Sequence, residues 1–158
     1  MHGLPLIINS QTKTLILGSF PSEISLAKQE YYANPGNDFW KVMSVVARQD
    51  LTKMAYADKA KMLLDNHIGL WDVFMHCERK GSMDDAIVNE TPNDFSRLKS
   101  EYPNIKLVLV AGKRAFSDFS KLNTGYTHHY LPSTSGANRR ISVEMKAEII
   151  KRFISSTS

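Results

Sequence analysis

The sequence predicts a three-layer αβα domain built on a short central, mainly parallel sheet. Three observations carry that expectation. Short apolar runs stop at glycine, proline or a polar residue. Helical patterns fill the gaps between those runs. The chain has 158 residues, of which 42% are hydrophobic and 23% charged, ordinary proportions for a globular fold with a real core. Strand signals alternating with helix signals mark the α/β class. The length is that of one domain, so a single domain over residues 1–158 is expected.

The first strand is Thr-Leu-Ile-Leu-Gly at residues 14–18. Phe39, Met43 and Val46 then recur at helical spacing, and residues 54–64 have a helix-rich composition. Residues 68–74, Ile-Gly-Leu-Trp-Asp-Val-Phe, read as one second strand. Thr91-Pro92-Asn93-Asp94 reads as a helix start, with a Thr cap and Pro in the first turn. Residues 105–112, Ile-Lys-Leu-Val-Leu-Val-Ala-Gly, give the clearest strand. Such a nearly continuous apolar run belongs to a sheet covered on both faces. Residues 113–122 follow as a helix, and residues 127–131, stopped by Pro132, as a fourth strand. Val143, Ala147, Ile150 and Ile154 form the apolar face of a last helix, with Lys146, Lys151 and Arg152 expected off that stripe.

Composition narrows the function. The formal net charge is +4, and it is unevenly placed. Residues 1–112 carry 12 Lys and Arg against 13 Asp and Glu, whereas residues 113–158 carry 8 against 3. A localised basic face suits a polyanion such as nucleic acid, and equally reads as a solvated helix surface. No apolar run approaches the roughly 20 residues of a membrane helix, so no membrane partner is expected. The first twenty residues lack a signal-peptide pattern, which leads to the expectation of a cytoplasmic protein. Cys77 is the only cysteine, so an internal disulfide and a Cys-based metal site are both excluded. The five histidines have no ligand spacing with a carboxylate, and no metal and no cofactor are expected.

In open α/β sheets, ligands bind beyond the carboxyl ends of the strands. That rule selects the loops after Gly18, Phe74, Gly112 and Leu131. The first reads Gly18-Ser19-Phe20-Pro21-Ser22 and continues to Tyr31-Tyr32-Ala33-Asn34-Pro35-Gly36-Asn37-Asp38-Phe39-Trp40. The last reads Leu131-Pro132-Ser133-Thr134-Ser135-Gly136-Ala137-Asn138-Arg139-Arg140. Both are rich in small residues, amides and hydroxyls. Neither has the spacing of a phosphate-binding P-loop, and no Gly-x-Ser-x-Gly elbow occurs.

In these segments the chain resembles the uracil-DNA glycosylase superfamily, nearest its DNA-deoxyinosine (hypoxanthine-DNA) glycosylase branch. Gly69-Leu70-Trp71-Asp72-Val73, Cys77-Glu78-Arg79 and Gly81-Ser82 with Asp84 fit the same branch. The likeness runs in the right order over nearly the whole chain. It implies a uracil-DNA glycosylase-like fold and a monofunctional enzyme that flips a deaminated base out of double-stranded DNA and hydrolyses its glycosidic bond, hypoxanthine first. Gly18, Ser19, Phe20 and Pro21 match the motif that lines the base pocket, with Tyr32, Asn34 and Asp72 beside them. Phe20 stands where many members carry the amide or acid that places the attacking water. The branch relies instead on an Asn of the Pro-x-Asn-x-Phe-Trp segment, here Asn37, as the catalytic residue. Tyr32 matches the aromatic that stacks on the base. Ser133, Thr134, Ser135, Gly136, Ala137, Asn138 and Arg139, with Arg140, match the loop that holds DNA. A monomer is expected.

Residue type alone leaves other roles open. Asn37 also reads as a cap of the helix near Phe39, Asp72 as a strand-end cap, and Tyr32, Trp40 and Phe20 as core aromatics. Three further functions compete: a uracil or thymine mismatch glycosylase, a non-catalytic nucleic-acid-binding relative, and a small-molecule α/β domain of flavodoxin type. The basic C-terminal portion counts against the last.

Overall fold

The computed structural model describes residues 1–157. Its central sheet is built from four parallel strands: β1 (Thr14–Gly18), β2 (Ile68–Asp72), β5 (Leu107–Ala111) and β6 (His128–Leu131). They lie in the order β2-β1-β5-β6. Six helices accompany them among the described residues: α1 (Glu23–Lys28), α2 (Phe39–Ala47), α3 (Tyr56–Asp65), α4 (Phe95–Glu101) and α5 (Lys113–Lys121) between strands, and α6 (Val143–Thr157) after the last. A 3₁₀ turn spans Asp84–Ala86.

Each central strand feeds both faces of the sheet because its side chains alternate. Leu15, Leu17, Val108 and Val110 pack with Phe95, Leu98, Ala115 and Phe119 of α4 and α5. Ile16, Leu107 and Leu109 pack with Phe39, Val42, Met43, Leu63, Ala147 and Ile150 of α2, α3 and α6. Two apolar layers on one sheet explain why these strands read as unbroken apolar runs rather than alternating ones.

Three sequence expectations are corrected. Residues 68–74 are not one strand: the sheet strand β2 ends at Asp72, and β3 (Phe74–Glu78) turns away to pair antiparallel with β4 (Val88–Pro92). Thr91 and Pro92 lie in that hairpin rather than at a helix start. The α4 cap is Asp94, whose carboxylate accepts from the Arg97 amide at 2.9 Å. Lys146 lies inside the fold at 2% exposure, not off the apolar face of α6. Its ammonium donates to the Asn138 carbonyl at 2.6 Å, and burial pulls its pKa below the ordinary lysine value. A hydrophobicity pattern cannot foresee a lysine whose charged end finds a loop carbonyl.

Register aligns the strand ends. Gly18 sits opposite Asp72, Leu17 opposite Val110, and Ala111 opposite Leu131. The carboxyl ends of all four strands therefore share one edge. The chain leaves β1 toward β2 on one side and toward β5 on the other, which makes this edge the switch point where such sheets bind ligands.

Candidate active site

A cavity of about 440 Å³ opens at that edge, within the usual range for small-ligand sites. Its walls come from distant parts of the chain. Gly18, Ser19, Phe20 and Pro21 follow β1, Tyr32, Asn34 and Asn37 precede α2, Asp72 ends β2, and Ser133, Thr134, Ser135, Ala137 and Asn138 follow β6. Nearly all the residues selected from the sequence thus meet in one place. Gly136, Arg139 and Arg140 belong to the same last loop without lining the cavity. Ser22, at the end of the first motif, lines it too, as do Ser82, Met83, Asp84, Asp85 and Ala111, which the sequence did not mark as site residues. Of these, Asp84 is the most informative: its carboxylate accepts from the Ser19 hydroxyl at 2.6 Å. The Gly-Ser-x-Asp pattern around it was the available signal.

Asn37 stands just before Asp38, the N-cap of α2. Its Oδ1 accepts from the Phe39 amide at 2.9 Å, closing the turn into α2, and from the Thr134 hydroxyl at 2.8 Å. A backbone N–H can only donate, so the oxygen must be the end that faces it. Both lone pairs of that oxygen are occupied, and Nδ2 is left to donate. The amide can therefore donate to a base, but has little capacity left to accept from an attacking water.

Thr134 is buried at 7% exposure, so its hydroxyl supports Asn37 rather than reaching out to a phosphate. Its carbonyl also accepts from the Asp38 amide at 2.9 Å. Arg139 completes this seam. It donates to the Gly36 carbonyl at 3.0 Å and lies 3.3 Å from the Asp38 carboxylate. Gly136 is required at the same seam, since a Cβ there would lie 2.7 Å from the Gly36 carbonyl oxygen. Arg140 is exposed and makes no hydrogen bond or ion pair among the described residues.

This division of labour separates the two arginines experimentally. Arg140→Ala should lower DNA affinity and flatten the log–log salt slope by about 0.9 on duplex DNA, the value of one phosphate contact. Arg139→Ala should instead loosen the loop and also reduce the melting temperature. Binding curves at several salt concentrations, with a melt for each variant, check both. An unchanged slope for Arg140→Ala contradicts its assignment.

Tyr32 is held in the left-handed region at φ 55°. Its ring stacks on Phe39 at 3.9 Å between centroids and 12° between planes, so one aromatic face is already covered. Its hydroxyl is buried without a hydrogen-bond partner, and burial raises its pKa above the ordinary tyrosine value. Asp72 is 5% exposed, and its Oδ2 is also unpartnered. Burial, followed by the charge of Asp84, pushes the Asp72 carboxyl up to about 7. Gly18 lies between these groups: a Cβ there would sit 2.8 Å from Asp72 Oδ1 and 3.2 Å from the Tyr32 hydroxyl.

The remaining candidates differ in their surroundings. Phe20 belongs to the core beside the cavity, with the Arg79 guanidinium 5.4 Å from its ring centre. Trp40 is core and donates to the Tyr31 carbonyl at 3.1 Å. Asn34 is exposed, with its side-chain oxygen turned to the Gly36 amide. His128 rests against Phe119 and His129 stacks on Phe153, so neither reaches the cavity. Cys77 is fully buried. Among the described residues no helix is long and apolar enough to cross a membrane.

Comparison with known proteins agrees with this architecture. Residues 5–154 match the family model described as the uracil DNA glycosylase superfamily. A hypoxanthine DNA glycosylase of Methanosarcina acetivorans is 45% identical over 149 residues, covering 93% of this chain and 94% of that protein. One of the same name from Methanosarcina barkeri is 43% identical over 155 residues, covering 96% and 98%. A solution NMR structure of a Methanosarcina acetivorans protein, described as a candidate uracil DNA glycosylase, superposes with a TM-score of 0.84 at 42% identity. It covers 97% of this chain and 98% of its own. With the four-stranded parallel sheet, the loops at its carboxyl edge and a family match over nearly the whole length, the chain belongs to the uracil DNA glycosylase superfamily.

Proposed function

We propose that this protein is a monofunctional DNA glycosylase that removes deaminated bases from double-stranded DNA, hypoxanthine before uracil, acting as a single-domain monomer in base excision repair. The observation that carries the reading is the cavity at the carboxyl edge of the sheet, into which Asn37 can present a fixed amide donor. Two relatives that share more than two-fifths of its residues bear the name hypoxanthine DNA glycosylase.

The chemistry follows from the groups present. A base inside a duplex cannot be reached, so it must be extruded into a pocket and read there. Glycosidic cleavage passes through an oxocarbenium-like state. The enzyme must then stabilise the negative charge that collects on the leaving base, which is the task of a preorganised donor. Asn37 supplies that donor. Its oxygen is pinned at two points, so little reorganisation is needed when charge develops. In this reading the exposed residues of the last loop, Ser135 to Ala137 and Arg140, meet the DNA backbone. No lysine is assigned to attack the sugar, so an abasic site is the expected end product.

Duplexes carrying hypoxanthine, uracil, xanthine or only undamaged bases, incubated with the protein and scored for abasic sites, test the reading. Hypoxanthine should be released fastest. Faster release of uracil from matched duplexes would replace this reading with a uracil-specific one. Binding without release would make the protein a non-catalytic relative.

A further inference from the structure

Two polar atoms are buried at the cavity without partners: the Tyr32 hydroxyl and Asp72 Oδ2. Both side chains line the cavity and flank Gly18, where even a methyl group would collide with Asp72 Oδ1. Leaving a buried polar atom unpaired is costly, typically about 1–3 kcal/mol. Two such atoms, on side chains that line one ligand-sized cavity, point to a polar group that completes them on binding. The nearby carboxylate of Asp84 is already engaged by Ser19. The Asp72 carboxyl has a free oxygen instead.

We propose that Asp72 is the general acid of the reaction, giving its Oδ2 proton to N7 of the departing purine. The proposal rests on the glycosylase reading above and extends it to the leaving group. A purine departs poorly as an anion, and protonation at N7 lets it leave neutral. In the step, the C1′–N9 bond breaks and its electron pair goes to N9. The proton passes from Asp72 Oδ2 to N7, and a water oxygen bonds to C1′. That water gives up one proton to solvent, and solvent returns one to the Asp72 carboxylate. The products are the neutral N7–H tautomer of hypoxanthine and a sugar hydroxyl at C1′. Asn37 then acts as the hydrogen-bond donor to the base, while Asp72 supplies the proton.

The charged and titratable groups around Asp72 come from every side. Asp84 of the 3₁₀ turn raises its proton affinity after burial itself, whereas the Gly18 backbone and Arg79, just beyond β3, lower it. Burial first, and the Asp72 charge after it, raise the pKa values of Tyr31, Tyr32 and Tyr56. The balance places the carboxyl at about 7, near the pH at which a general acid is most effective.

Single-turnover excision of hypoxanthine at saturating enzyme, from pH 5 to 9, tests this with the parent, Asp72→Asn and Asp84→Asn. The parent rate should fall about tenfold per pH unit above about 7, as expected when the acid form of one group is required. Asp72→Asn should be slower by about a hundredfold or more at pH 6, the usual contribution of a general acid, and its rate should no longer fall with pH. Asp84→Asn, whatever its maximal rate, should move the fall to lower pH, because it removes the charge that raises the proton affinity of Asp72. A duplex with 7-deazahypoxanthine, which has carbon in place of N7, should bind but resist excision, and Asp72→Asn should not slow it further. A parent rate flat from pH 6 to 9, an Asp72→Asn protein that keeps the parent's fall with pH, or equal excision of the 7-deaza base would each overturn the proposal. The parent and Asp84→Asn profiles and the 7-deaza substrate decide the matter even if Asp72→Asn folds badly. Absence of any hypoxanthine release by the parent would instead bring down the glycosylase reading, and this proposal with it.

Discussion

Asn37→Ala should cut the excision of hypoxanthine by about 10²–10³, the typical cost of removing one preorganised donor from a charge-stabilising site. DNA affinity should change little, because the donor acts chiefly when charge collects on the departing base. The substitution also strips an acceptor from the Phe39 amide and from the Thr134 hydroxyl. A stability loss of about 0.5–2 kcal/mol, the range for a lost helix cap, should accompany it. Asn37→Asp separates the two effects. A carboxylate can still accept from Phe39 and Thr134, so the turn survives, but it has no N–H to donate. It also adds negative charge to a cavity that already contains Asp72, Asp84 and Asp85. The Asp variant should therefore melt near the parent temperature and be as inactive as the Ala variant. Single-turnover rates, binding curves and melts for all three proteins are the measurement. A folded Asn37→Ala that works at the parent rate would reduce Asn37 to a cap.

A second large effect concerns stability and pH. The Asp72 carboxyl titrates at about 7 in the folded protein and near 3.9 in an unfolded chain. The folded state thus holds the proton more tightly. The stability this contributes is fully present below about 3.9 and is lost as pH rises toward and through 7. Every tenfold difference in proton affinity between the two states corresponds to about 1.4 kcal/mol. With Asn at position 72 that titration disappears. Asp72→Asn should therefore gain on the parent by about 2–4 kcal/mol between pH 4 and pH 8, a few to several degrees in melting temperature. Urea denaturation at pH 4, 6 and 8 reads this directly. A parent-to-variant difference that stays constant with pH would mean that Asp72 is not held protonated by the fold. The cost at neutral pH is the kind expected of a residue kept for chemistry rather than for stability.

The sheet and the cavity at its carboxyl edge were legible in the sequence because both depend on local pattern. Strands covered on two faces must be apolar throughout, and residues 14–18 and 107–111 show that directly. A strand-end loop of small and amide residues marks a ligand edge without any knowledge of the partners across the sheet. The tertiary structure decided what depends on who meets whom. The break of residues 68–74 at Asp72 could not be read, because an apolar run looks the same whether it continues in one sheet or turns into a hairpin. Lys146 could not be placed inside, because its burial depends on the Asn138 carbonyl that the last loop brings to it. Thr134 and Arg139 read by type as phosphate ligands, and only the fold shows that the loop after β6 also gives them Asn37, Gly36 and Asp38 as partners. Asp72 is the clearest case. Sequence offered a strand-end acid, and only the fold surrounds it with Gly18, Tyr32 and Asp84 and shields it from water. Pattern reports which residues are buried and which form edges. Proton affinity and hydrogen-bond direction arise from long-range neighbours, and the fold alone supplies those.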